Sequence, residues 1–213
     1  MSDSRCRDTI ADPACFVRTY LEGIKACLDA LSATQVLQVV RLLDEVYQAE
    51  RQVFVVGNGG SAATASHLAC DLSKNAGPAG GDWPRLRVIS LTENTPYIMA
   101  LANDLGFERI FAEQIKTLAR RDDLVIAISG SGNSPNILEA LHAAGKIGAR
   151  TVGFLGFDGG QARRLVDVAI VVPSRDYGKI EDTHLILGHL VTEWFRQRLD
   201  QRLTSGPTAA FRP

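Results

Sequence analysis

The chain has 213 residues, of which 46% are apolar and 22% charged, with a formal net charge of −1. That balance excludes the basic excess expected of a nucleic-acid or membrane-surface binder, and the apolar runs are far too short for a membrane span. The length suits one domain with a core of its own.

Residues 1–12 form a polar lead without the apolar segment of a signal peptide. The four cysteines (Cys6, Cys15, Cys27 and Cys70) show no C-x-x-C spacing. Reduced thiols in a cytoplasmic protein are therefore expected. Asp12-Pro13 reads as an N-cap followed by proline in the first helical turn. Phe16, Val17, Tyr20, Leu21, Ile24, Cys27, Leu28 and Leu31 then recur at helical spacing. Ser32 with Gln35 resembles a capping box and opens a second helix, with Val36, Val39, Val40 and Leu43 inward. Two amphipathic helices thus fill residues 13–50, ahead of any strand.

From residue 53 the pattern changes. Val53–Val56, Arg87–Leu91, Leu124–Ile128, Thr151–Leu155 and Val168–Val172 are short apolar runs of the kind that form buried parallel strands. Between them lie helix-compatible segments: Ala62–Leu72, Pro96–Leu101, Phe111–Leu118, Asn136–Ile147 and Gln161–Leu165. The alternation predicts a doubly wound α/β domain with a mainly five-stranded parallel sheet flanked by helices. A last helix is expected from about Ile180 to Leu203. A single domain then covers 13–203, and 204–213 has the composition of a flexible tail. Asn75–Trp83, rich in Gly and Pro, is the expected mobile loop over the site.

Two glycine loops follow strands, GNGGSA at 57–62 and SGSGNS at 129–134. Ligands of open α/β sheets collect at the carboxyl edge, where glycines let backbone N–H groups and helix N-termini approach an anion. The first loop alone matches the dinucleotide fingerprint G-x-G-x-x-A, with Glu93 available to a ribose. The second loop, rich in serine, is better suited to a phosphomonoester. Beyond the first loop, His67 and Asp71 share a helical face at i and i+4, a pair suited to a divalent metal or to proton transfer. Spacing alone favours a solvated or structural His–Asp contact, and Cys70 reads as a small buried thiol. In the last helix, Glu181 and His189 are separated by about 12 Å of rise and about 80° of rotation. His184, at i+3 from Glu181, is nearer. Spacing does not choose between His184 and His189. His142 is expected on a surface helix without a role.

Val53–His67 followed by SGSGNSPN (Ser129–Asn136) resembles the sugar isomerase, or SIS, domain family. The likeness continues through NDLGF (Asn103–Phe107), FDGG (Phe157–Gly160), VPS (Val172–Ser174) and EDTHLILGH (Glu181–His189). It spans roughly residues 15–198, and within the group it is most like the phosphoheptose isomerases. The resemblance implies the SIS fold, a homotetramer with sites near subunit boundaries, and zinc-dependent aldose–ketose isomerisation of sedoheptulose 7-phosphate through an enediol. It implies substrate contacts at Asn58, Gly59, Gly60, Ser61, Asn103, Asp104, Ser129, Gly130, Ser131, Ser134 and Glu181. It places metal ligands at His67, Asp71, Glu181 and His189, and proton transfer at Asp71 or Glu181 with His189. Three positions depart from the usual pattern, with Asp71 for glutamate, Glu181 for glutamine and Gly130 for threonine. Two other functions stand beside this one. One is a non-catalytic SIS tetramer serving as a phosphosugar-binding or replication-initiator-binding scaffold. The other is a nicotinamide oxidoreductase using the first loop.

Overall fold

Five strands form where the apolar runs predict them: β1 (Gln52–Gly57), β2 (Arg87–Ser90), β3 (Leu124–Ser129), β4 (Arg150–Leu155) and β5 (Val168–Val171). They pair in parallel, in the order β2-β1-β3-β4-β5. The computed structural model describes residues 12–76 and 84–205. Seven α-helices lie among these residues: α1 (Pro13–Asp29), α2 (Ala33–Gln48), α3 (Gly60–Lys74), α4 (Thr95–Leu105), α5 (Ile110–Leu118), α6 (Pro135–Ile147) and α7 (Tyr177–Ser205). The result is the doubly wound α/β fold that the sequence predicts.

Alternate side chains of the central strands feed two cores. Val53, Val55, Ile126 and Ile128 face α2, α3 and α7, burying Leu43, Leu72, Leu187 and Phe195 with them. Phe54, Val56, Val125 and Ala127 face α5 and α6, with Phe111, Ile115, Ile137 and Leu141. Both faces of β1 and β3 are covered, which is why these strands read as unbroken apolar runs. The buried Asp123 carboxylate accepts from the backbone N–H of Gln52 at 2.9 Å and of Arg120 at 2.7 Å. It thereby ties the start of β1 to the turn before β3.

The caps form as expected. Asp12 Oδ1 accepts from Ala14 N at 3.0 Å, and Ser32 Oγ from Gln35 N at 3.4 Å. Asn94, not foreseen as a cap, accepts from Tyr97 N at 3.2 Å and starts α4. The expected helix at Gln161–Leu165 is one 3-10 turn, Ala162–Arg164. Five residues after the paired Gly159-Gly160 are too few for more than one turn. Cys15 is disulfide-bonded, against the expectation of reduced thiols, while Cys27 and Cys70 are free. Cys70 is exposed rather than buried. Of the expected mobile loop, residues 77–83 lie outside the described residues, as do 1–11 of the lead and 206–213 of the tail. No single described helix is long and apolar enough to cross a membrane.

The strand order places the ligand edge. The chain runs from β1 outward to β2, then returns to the other side of β1 for β3. The crevice between the carboxyl ends of β1 and β3 is therefore the topological switch point. The register pairs Gly57 with Ile128, so the two glycine loops leave the sheet side by side.

Candidate active site

The first loop turns at Gly59, whose φ of 54° and ψ of −122° favour glycine, and runs into α3 at Gly60. The second leaves β3 at Ser129 and enters α6 behind the cap residue Ser134 and Pro135. A reciprocal amide pair joins them. Asn58 Nδ2 donates to Asn136 Oδ1 and Asn136 Nδ2 donates to Asn58 Oδ1, both at 2.8 Å. Asn136 is 1% exposed. It stood in the SGSGNSPN motif, but nothing in the sequence indicated that it would clamp the loops together.

Between the loops is a cavity of about 120 Å³ lined by Asn58, Ser61, Ser129, Gly130, Ser131, Ser134, Tyr177 and Glu181. Its serine hydroxyls are poised to donate. Ser129 Oγ accepts from Gly132 N at 3.1 Å and Ser131 Oγ from Asn133 N at 3.2 Å. Ser134 Oγ makes no cap hydrogen bond. No acceptor for these three O–H groups lies among the described residues. Among the described residues no lysine or arginine lines the cavity, so the donors it offers an anion are neutral hydroxyls and the positive end of α6. Glu181 reaches in from α7. A Cβ built on Gly60 would fall on its carboxylate, so the side chain rests over the α3 N-terminus, where a negative charge is favoured. A wider cavity, about 860 Å³, opens beside α6 and is rimmed by the exposed His142, Arg163 and Arg164. It lies outside the crevice that the two loops build.

A second cluster lies further along the same two helices. α3 and α7 run side by side in parallel: Gly60 meets Glu181 and Leu68 meets Gly188. His67 Nε2 comes 3.2 Å from His189 Nε2 and 3.3 Å from Asp71 Oδ2. His189 Nε2 lies 3.7 Å from the same oxygen. Asp71 Oδ1 is fixed by the Asn75 amide at 2.9 Å. The three donors lie within 4.8 Å of one another. In tetrahedral coordination, bonds of about 2.0–2.1 Å put neighbouring ligand atoms about 3.3 Å apart, so the triangle has the size of one face of such a site. Two imidazoles and a carboxylate with an open fourth position are also the donor set of catalytic rather than structural zinc.

The other expected residues separate. Glu181 lines the cavity and is absent from the three-donor cluster. Asn103 and Asp104 hydrogen-bond to each other at 2.7 Å on the exposed last turn of α4 and are not among the cavity-lining residues. His184 is fully buried, with Nε2 3.1 Å from the Leu155 carbonyl, which makes it a packing residue. Burial pushes its pKa down to about 4, partly offset by that hydrogen bond. Tyr177, unforeseen as a site residue, lies over the second loop.

A switch-point crevice between two glycine-rich loops at helix N-termini, beside a His–Asp–His cluster, is a layout suited to an α/β enzyme handling phosphorylated sugars. The SIS domain family profile matches residues 19–156. Phosphoheptose isomerase from Pelobacter propionicus is 39% identical over 182 residues, covering 85% of this chain and 93% of that protein. The same enzyme from Geobacter sulfurreducens is 37% identical, covering 86% and 97%. Among solved structures, a phosphoheptose isomerase from Neisseria gonorrhoeae superposes with a TM-score of 0.77 at 27% identity, over 85% of this chain and 95% of that one. One from Francisella tularensis gives 0.79 at 25%, over 89% and 98%. The chain belongs to the SIS domain family, among its phosphoheptose isomerases, and is a phosphosugar isomerase.

Proposed function

We propose that the protein interconverts sedoheptulose 7-phosphate and D-glycero-D-manno-heptose 7-phosphate, with a divalent ion, zinc by donor type, held by His67, Asp71 and His189. The triangle of donors sized for one ion carries this reading. When bound, the ion supplies Lewis-acid polarisation of the sugar carbonyl.

The phosphate is held by the hydroxyls of Ser129, Ser131 and Ser134 and by the N-terminus of α6. Asn58, Gly59, Gly60 and Ser61 position the sugar, with the Asn58 amide oriented by Asn136. Isomerisation moves a proton between C1 and C2 through an enediol. The base and the group that serves the oxygens must therefore lie within a bond or two of each other. Asp71 and His189 meet that requirement. Asp71, through the carboxylate oxygen not given to the ion, takes the carbon-bound proton and returns it to the neighbouring carbon, while His189 would help hold the ion that would polarise the two oxygens between which the hydroxyl proton passes. Glu181 lies eight residues before His189 on α7, about 12 Å of helix rise, and within one chain it serves the sugar rather than the ion.

Assembly completes the site. Phe16, Val17 and Leu21 on α1, Ile186 and Leu190 on α7, and Met99, Leu105 and Phe107 around the end of α4 expose large apolar side chains. A homotetramer burying these faces brings Asn103 and Asp104 to a neighbouring crevice. The protein works in the cytoplasm, where a phosphorylated sugar is available.

Turnover of sedoheptulose 7-phosphate by the purified protein, with its metal content measured, tests the reading. Asp71→Asn and His189→Ala lose turnover, whereas Glu181→Gln retains it. Full activity of either of the first two variants overturns the mechanism.

A further inference from the structure

Gly130 in the second loop lies directly under the ring of Tyr177. A Cβ built on Gly130 meets Tyr177 Cε1 at 2.8 Å and Cδ1 at 2.9 Å, closer than carbon atoms pack. Any side chain at 130 therefore displaces the ring. Gly156 makes the same allowance one strand away, since a Cβ there meets Gly130 O and Ile180 Cδ1, each at 2.6 Å. The two glycines let the first turn of α7 settle onto the loop. Tyr177 is held there from two sides. Asp176 caps α7, accepting from Gly178 N at 3.0 Å, and Phe157 packs edge-on to the ring with centroids 5.2 Å apart. The ring lines the cavity with Ser129, Ser131 and Ser134 and is 54% exposed. Its hydroxyl makes no hydrogen bond among the described residues.

We propose that Tyr177 is a substrate-contacting residue that roofs the phosphate subsite and donates its O–H to a phosphoryl oxygen, and that Gly130 is the residue that makes room for it. Together they confine the subsite to a terminal phosphomonoester. The physical case is the donor inventory. Among the described residues the lining holds no cation and one carboxylate, Glu181, so one more hydroxyl beside a dianion is a large fraction of the favourable contacts, and hydrogen bonds to charged groups are the stronger kind. The ring also excludes water from that side of the anion, strengthening the remaining contacts. The proposal rests on the reading of this loop as the phosphate site of an isomerase, and its test does not need turnover.

Titration calorimetry with inorganic phosphate, on the full chain, gives the binding constant for wild type, Tyr177→Phe, Gly130→Ala, Tyr177→Ala and the double variant Gly130→Ala/Tyr177→Ala. Tyr177→Phe keeps the ring against Phe157 and is expected to weaken phosphate about tenfold or more. In turnover it raises KM by a similar factor with kcat within about twofold, the pattern of lost uniform binding. Gly130→Ala weakens phosphate in the wild-type background but adds little once Tyr177 is alanine, because the clash is gone. Wild-type phosphate affinity in Tyr177→Phe, or additive losses in the double variant, overturns the proposal. If wild type binds phosphate but does not turn over the heptose phosphate, the substrate reading fails while the Tyr177 assignment is still decided.

Discussion

Asn58 and Asn136, seventy-eight residues apart, exchange both amide hydrogen bonds across the crevice between β1 and β3. Each 2.8 Å bond satisfies a donor on one loop with an acceptor on the other. The two glycine loops are thus joined into a single element at the switch point, so the geometry of the first depends on that of the second.

Replacing Asn136 by alanine leaves the Asn58 amide without its partner in a part-buried site, at a cost of about 1–3 kcal/mol. The loss falls on loop geometry rather than on the core. Asn136→Ala is expected to raise KM for the phosphosugar about tenfold or more, with a smaller loss of thermal stability. Steady-state kinetics alongside thermal melts check this, and a KM equal to that of wild type shows that the clamp is dispensable.

Metal removal has its own signature. A ligand that binds only the folded state stabilises it by mass action. Adding zinc to chelator-treated protein is therefore expected to raise the melting temperature of the wild type. The same addition leaves His67→Ala and His189→Ala nearly unmoved, since two donors remain of three. A thermal shift in both variants equal to that of wild type places the ion elsewhere.

The five strands were legible because each is a short apolar run bounded by glycine or charge, with β1, β3 and β4 buried on both faces and only the edge strands β2 and β5 partly exposed. The crevice was legible because both glycine loops follow strands that the switch-point rule makes neighbours. The roll of α7 was not legible. Its apolar residues are spread around the helix, so periodicity could not say that His184 would face Phe154 and Leu155 while His189 faced His67. Contacts between residues far apart in sequence were equally hidden. Gly60 under Glu181, Gly130 under Tyr177 and Asn58 against Asn136 depend on how α7 and α6 settle on the sheet, which local spacing does not encode.

Gly60 separates a helix preference from a site constraint. Alanine is favoured over glycine in a helix by about 1 kcal/mol, yet a Cβ here falls on the Glu181 carboxylate. That carboxylate is the end of a flexible side chain and can swing aside. Gly60→Ala is thus expected to leave stability within about 1 kcal/mol of wild type while changing KM. In a Glu181→Ser background the same substitution has no kinetic effect. Equal KM changes in both backgrounds remove Glu181 from the explanation.

His184 sets the response to mild acid. Its side chain is fully buried, Nε2–H donates to Leu155 O, and Nδ1 has no partner among the described residues. Burial lowers the folded pKa from 6.5 to about 4. The unfolded chain therefore binds more protons than the folded one between those values, and stability rises with pH across that window. The contribution is complete above pH 6.5 and is lost as the pH falls towards 4, in total about 3 kcal/mol at about 1.4 kcal/mol per pKa unit. Glu193, Glu113, Asp158 and Asp176, whose pKa values are held down by hydrogen bonds, lose their contributions only at lower pH. Urea unfolding at pH 7, 6 and 5 is expected to show wild-type stability falling with pH. His184→Gln, which keeps an N–H for Leu155 but does not titrate, shows a flatter profile. The same slope in both proteins assigns the acid sensitivity to another group.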